Sequence, residues 1–207
     1  MCKSEDNYIA GLAKDMRIVA YSRFNKIRRL KRNSFLAMLS ISTASIAMII
    51  LSLVEKFYEV KAVYIIPFLN FSIEIWFFNI ISAIIILAIS IAISTLKLEV
   101  ELEKLNESAV SLNEIQRKLE FNLKHGNEFY HNKILFNEYL TIIKSNLSNH
   151  DAVDYEIARY NVNKKGIFFY YCWNLFYEKK ETFLYLLIII LYSFSTFNVI
   201  YQVALKC

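Results

Sequence analysis

Glycine and proline are nearly missing: the 207 residues hold three of the first and one of the second. Ordinary globular domains carry about 7% glycine and about 5% proline. That scarcity excludes turn-rich sandwiches, barrels and flexible linkers, and predicts long uninterrupted helices. Cysteine is as sparse. Cys2, Cys172 and Cys207 stand far apart with no CxxC pair, which argues against a disulfide framework and a zinc site. No glycine-rich phosphate loop is present. No nucleophile stands beside a paired base, and no carboxylate pair falls in a pocket-forming context. The chain is therefore expected to be no enzyme and to need no cofactor. Its first residues, MCKSEDNYIAGLAKDM, are polar, so no cleavable leader is read there.

What the sequence has in abundance is apolar run. SFLAMLSISTASIAMIILSLV (34–54), IWFFNIISAIIILAISIAISTL (75–96) and FLYLLIIILYSFSTFNVIYQVAL (183–205) contain no charge. As a helix the first would be about 31 Å long, enough to cross the hydrocarbon core. For 183–205 the alternative is a helix lying along the membrane or buried in an oligomer. Lysine and arginine set the orientation. Arg17, Arg23, Lys26, Arg28, Arg29, Lys31 and Arg32 precede the first run, whereas 55–74 holds only Lys56 and Lys61. Lys97, Lys164, Lys165, Lys179 and Lys180 follow on the other side of the hairpin. The excess of positive charge places the N-terminus and 97–182 in the cytoplasm, with Arg28, Arg29, Lys31 and Arg32 as the orienting group. The hairpin loop 55–74 then lies outside, as does Cys207 if the third run crosses. The basic run 23–32 beside a span points to anionic lipid as its partner, and no direct nucleic-acid binding is expected.

The expected fold is an all-α, multi-pass membrane protein. Residues 1–33 form a cytoplasmic basic amphipathic helix, and 34–96 a transmembrane hairpin with spans 34–54 and 75–96 joined by 55–74. Residues 97–165 form a cytoplasmic helical region, 166–182 an interfacial aromatic helix, and 183–205 a third C-terminal span. The second span runs into 97–125 with no breaker between. Leu98, Leu102, Leu105, Ala109, Leu112, Gln116, Leu119 and Leu123 make an a/d seam there with one polar position. That seam fits either a coiled coil between subunits or the chain's own N-terminal helix, whose Ile9, Leu12, Met16, Val19, Phe24, Ile27 and Leu30 recur at helical spacing. Gly126 and Asn127 end one helix and cap the next, over 128–147, with Phe129, Phe136, Leu140, Ile143 and Leu147 as its apolar stripe. The aromatics of GIFFYYCWNLFYEKK (166–180) read as an interfacial belt or as a buried cluster.

NHDAVDYEIARY (149–160) is the densest polar stretch. Asn149 is read as a helix cap, with Asp151 and Asp154 in the first turn, where the dipole favours negative charge. Tyr155 follows. His150 and Asp154, at i and i+4, could share a metal ion, but no third ligand is near in sequence. Within the spans Asp, Glu, Lys, Arg and His are missing, which suits a passive pore better than a carrier. Ser40, Thr43 and Ser45 in the first and Asn79, Ser82, Ser90 and Ser94 in the second are read as either pore lining or helix-packing residues.

A basic helix, YSRFNKIRRLKRNSFLAMLSISTASIAMI (21–49), leads into a two-span hairpin, a long helix follows, and NHDAVDY (149–155) comes after. Over roughly 15–165 this layout resembles the SLATT domain, the SMODS and SLOG-associating two-transmembrane effector of bacterial conflict systems. The NH…DY element resembles the subfamily found beside reverse transcriptases of retron type. The resemblance implies an effector in the bacterial inner membrane that oligomerises and forms a pore or disrupts the membrane of a phage-infected cell. Its trigger would come from a sensor partner: a retron reverse transcriptase–nucleic acid complex or a nucleotide-signalling enzyme. The third apolar run departs from a strict two-span topology. The competing reading is a non-enzymatic membrane anchor or sensor whose cytoplasmic helices recruit a partner protein.

Overall fold

The computed structural model describes residues 2–66, 71–95, 98–125, 129–145, 151–163 and 168–206. These form six helices and one short hairpin: α1 (Cys2–Tyr58), β1 (Ala62–Ile66), β2 (Phe71–Glu74), α2 (Ile75–Thr95), α3 (Leu98–His125), α4 (Phe129–Ser145), α5 (Ala152–Asn163) and α6 (Phe168–Lys206). Three stretches are long and apolar enough to cross a membrane, in α1, α2 and α6. The all-α membrane class is therefore the class of this chain.

The lack of breakers has its largest effect in α1, where the basic segment and the first apolar run are a single helix of 57 residues. The aromatic segment and the third apolar run are likewise continuous in α6. The expected unbroken passage from the second span into α3 falls on residues 96–97, outside the described residues. Gly126, Asn127, Asn149 and His150 lie outside them too.

The residues divide into two compact units, 1–31 with 98–179, and 32–97 with 180–207. In the first, α1 and α3 run antiparallel. Ile9, Ala13 and Met16 share a core with Ile115, Leu119 and Leu135 of α3 and α4. Further along α1, Ile27 packs with Leu105 and Ala109. The α3 seam is thus covered by the chain's own α1 and α4, and Gln116 is buried within it. On α4 the contacting face is Leu135, Phe136, Tyr139 and Ile142. The sequence stripe shares Phe136 with this face, and its Leu140 and Ile143 are half-buried one position beyond Tyr139 and Ile142.

In the second unit, Ala44, Ala47, Leu51 and Val54 of α1, Ile75 and Phe78 of α2, and Tyr192 and Val199 of α6 form one core. The segment read as the external loop 55–74 contains an antiparallel β-hairpin, with Val63 opposite Ile73 and a bulge between Tyr64 and Ile66. Its β-branched and aromatic residues favour an extended backbone. Val63 is fully buried in the same core. Glu59 ends α1 at φ 55°, the left-handed position that glycine usually takes.

Candidate functional site

The first unit is organised around polar residues that sit where a helix would normally put apolar ones. On α1, Ser22, Arg23, Asn25 and Lys26 are all buried among Ile18, Ala20 and Ile27. Lys26 reaches Glu101 of α3 at 3.1 Å. Arg29 holds α5. Its Nη2 donates to Asp154 at 2.9 Å and also to Asp151. Asn25 adds a donation from Nδ2 to the Asp154 carbonyl at 3.4 Å. Asp154 is fully buried, whereas the Asp151 side chain is half exposed. Burial alone would lower the Arg29 pKa, but the charges and hydrogen bonds of Asp154 and Asp151 outweigh it and raise it.

Local sequence explains the placement of both aspartates. The Tyr155 amide bonds the Asp151 carbonyl at 3.1 Å, the first bond of α5. Asp151 therefore holds the cap position, two residues beyond the Asn149 that the sequence suggested. Asp154, three residues on, lies in the first turn, where the helix dipole adds to the attraction of Arg29. The NHDAVDY element is thus, in its described part, an ion-pair clasp between α5 and α1. Tyr155 is half-buried beside it.

Arg23 is the unusual member. Its guanidinium is 2% exposed, and its Nε and Nη1 meet no hydrogen-bond partner. Burial lowers its pKa, partly offset by Tyr139. Burial in turn raises the Tyr139 pKa, with Asp15 and Tyr155 adding and Arg23 opposing. Ionised groups without hydrogen-bonded partners are costly in an interior. Arg23 of α1, Tyr139 of α4 and Tyr155 of α5 thus lie close enough for charge on one to act on the next.

The residues read as membrane-orienting are mostly engaged within the protein. Arg29 is committed to the clasp. Arg32 donates through Nε to Thr182 Oγ1 at 3.1 Å. Arg28 and Lys31 are exposed, and Arg28 also donates to Asn25 Oδ1 at 2.6 Å. The buried positions escaped the sequence reading, although Ala13, Met16, Ala20, Arg23 and Ile27 follow a heptad spacing that puts Arg23 in the core. A basic run beside a span had a ready explanation, and that explanation hid the pattern.

The second unit carries its own polar cluster at the start of two apolar runs. Asn33 Nδ2 donates to Glu181 Oε2 at 2.6 Å, and Thr182 Oγ1 donates to Asn33 Oδ1 at 2.9 Å. Farther along, Ala44, Ala47 and Leu51 share a core with Tyr192 and Val199. The apolar halves of α1 and α6 therefore run parallel from one polar level. Phe78 and Tyr192 are in ring contact at 5.5 Å.

The structure sorts the hydroxyl residues of the spans. Ser40 and Ser82 are buried and donate to the Ala37 and Phe78 carbonyls of their own helices at 2.8 and 2.7 Å. Thr43 does the same to Leu39 at 2.8 Å. Asn79 crosses between helices, donating from Nδ2 to Ser52 Oγ at 3.0 Å. Thr43, Ser45, Asn79 and Ser90 are half-buried and Ser94 is exposed. Spacing places Asn79, Ser90 and Ser94 along one side of α2. Large apolar residues cover the rest of the spans: Phe35, Ile46, Ile49, Ile84, Leu87 and Ile190 are all exposed.

Helices of this length and apolarity, with exposed apolar faces and a helical unit built on ion pairs, define an integral membrane protein. Residues 5–201 match the family described as SMODS and SLOG-associating 2TM effector domain family 5. The chain belongs to that family, and the match runs through the third apolar helix. No curated protein and no solved structure matches it.

Proposed function

We propose that this protein is a membrane effector of a bacterial antiphage or conflict system, which oligomerises and opens a pore or disrupts the inner membrane when a partner sensor triggers it. The observation that carries the reading is membership of an effector family whose members associate with other defence components by name. The spans support it. Their described residues hold no ionisable side chain apart from tyrosine, so there is nothing to bind and release an ion or proton in a carrier cycle. Polar side chains that remain half-open, Asn79, Ser90 and Ser94 on α2, would line the path. Lipid and further copies of the chain are the partners that the exposed apolar faces fit. The N-terminus is cytoplasmic, and the sensor is a retron reverse transcriptase complex or a nucleotide-signalling enzyme.

A second reading, an anchor that recruits a partner, draws on one feature. A cavity of about 510 Å³ lies between α3 and α4, lined by Ile115, Ile134 and Ile142 and by the charged Glu114, Lys118 and Glu138. Induced expression beside the neighbouring genes, followed with a membrane-potential dye, separates the two. Collapse of the potential on triggering is the expected result. An intact potential in cells that carry normal amounts of membrane-inserted protein would leave the anchor.

A further inference from the structure

The first unit presents two charged faces of opposite sign, and they match in height. On α1 the exposed residues Lys14, Arg17, Tyr21, Arg28 and Lys31 recur at helical spacing on one side. That stripe contains no acid. On α3 the exposed residues Glu99, Glu103, Glu107, Val110 and Glu114 form a stripe of the other sign, which the exposed Arg117 ends one step further on. None of these charged groups has an ion-pair partner among the described residues. Arg17 instead lies 5.6 Å over the Tyr21 ring. The faces are free because α1 and α3 bury their other sides against each other and against α4 and α5.

We propose that the basic face of α1 docks on the acidic face of α3 in a neighbouring copy of this chain, closing a ring. The inference deepens the oligomeric effector reading and rests on it. Head-to-tail contacts of this kind generate rings when the rotation closes. In a ring whose axis runs along α1 and α3, every copy sits at the same height, so contacts must join residues at one level. The contacts within the chain give the levels. Lys26 meets Glu101, Ile27 packs with Leu105 and Ala109, and Met16 packs among Ile115 and Leu119. By that register, Arg28 lies at the level of Glu103, Arg17 at that of Glu114 and Lys31 at that of Glu99. Tyr21 and Val110, 42% and 43% exposed, share a level between them. Three of the four cations, Arg17, Arg28 and Lys31, thus meet an acid on the other face, with an apolar pair at the centre, while Lys14 lies level with Arg117 beyond the paired stretch.

Anionic lipid is the competing occupant of the basic face. Along α1, Arg17 and Lys14 precede the apolar run starting at Ser34 by about 25 and 30 Å of helix. Surface charges are screened beyond about 8 Å at physiological salt. Lipid headgroups would account for Lys31, not for the length of the stripe.

The test uses the full chain in lipid nanodiscs, with mass measured by light scattering. Arg17→Glu with Arg28→Glu should break the assembly to smaller species, as should Glu103→Arg with Glu114→Arg. All four changes in one chain should restore the original mass. In a chain with its cysteines replaced by serine, Arg28→Cys with Glu103→Cys should give a ladder of disulfide-linked multimers. Arg28→Cys with Glu114→Cys should not, since eleven residues of helix put that pair about 16 Å out of level. An unchanged assembly in both charge-reversed variants would overturn the proposal while leaving the oligomeric effector intact. So would an effect of the α1 variant that depends on anionic lipid and is not rescued by the α3 changes. A wild-type chain that is monomeric at every concentration would overturn both.

Discussion

Asp154 and Asp151 share one arginine but not one environment. Asp154 is fully buried against Arg29, while Asp151 keeps about half of its side chain in water. Removing one partner of a buried pair strands the other charge and costs about 3–5 kcal/mol, whereas exposed pairs contribute about 0–1 kcal/mol. Arg29→Ala should therefore be the most damaging change, because it leaves Asp154 without its cation. Asp154→Ala should cost less, since Arg29 keeps Asp151, and Asp151→Ala less again, about 1–2 kcal/mol from the exposed pair and the lost cap together. Thermal unfolding of the purified chain in detergent gives the ranking, and equal effects at the two aspartates would contradict the clasp. A milder change should go the other way. Gly11 is exposed inside α1, and a Cβ there would meet nothing. Gly11→Ala should raise stability by about 0.5–1 kcal/mol in the same assay. Sequence alone pointed to the acidic first turn of α5, which is a local matter of cap and dipole. It did not point to Arg29 as the partner, because a separation of 125 residues leaves no periodic trace.

At the scale of elements, what was legible was what repeats. The α3 seam follows a heptad and is buried along its centre, and of the helically spaced α1 face Ile9, Met16 and Ile27 are buried. The hairpin between the spans was not legible, since nine residues of strand in a segment of lysines and aromatics show no long alternation. The third apolar run was ambiguous by length, and here the packing adds an argument. Asn33 and Thr182 are hydrogen-bonded, and from that level α1 and α6 run parallel into one core. If the first run crosses the membrane, the third crosses in the same direction. Cys172 is exposed on the aromatic part of α6, and Cys207 follows its last turn. In intact spheroplasts, a membrane-impermeant maleimide should label Cys207 and should reach Cys172 only after permeabilisation. Labelling of both, or of neither, before permeabilisation would mean that α6 does not cross.

For the whole molecule, the open question is what the hydroxyl groups of the spans are for. Those that donate to their own helix serve a lipid-facing or packed helix equally well, since the polar atom is already satisfied. Ser40 and Ser82 are buried, so larger side chains there should strain the bundle by about 1–3 kcal/mol. Ser90 and Ser94 have room around them and share a side of α2 with Asn79. If that side lines a conducting path once copies assemble, bulk at Ser90 and Ser94 should obstruct flow without harming the fold. Ser40→Leu and Ser82→Leu are expected to lower the yield of membrane-inserted protein. Ser90→Phe and Ser94→Phe are expected to insert at normal yield and to slow dye leakage from triggered cells or proteoliposomes by about tenfold, corresponding to about 1.4 kcal/mol on the barrier to passage. Asn79→Ala should alter leakage too, while releasing Ser52 from its bond across the hairpin. Leakage unchanged in well-inserted Ser90→Phe and Ser94→Phe chains would assign these serines to helix packing and move the path to another face.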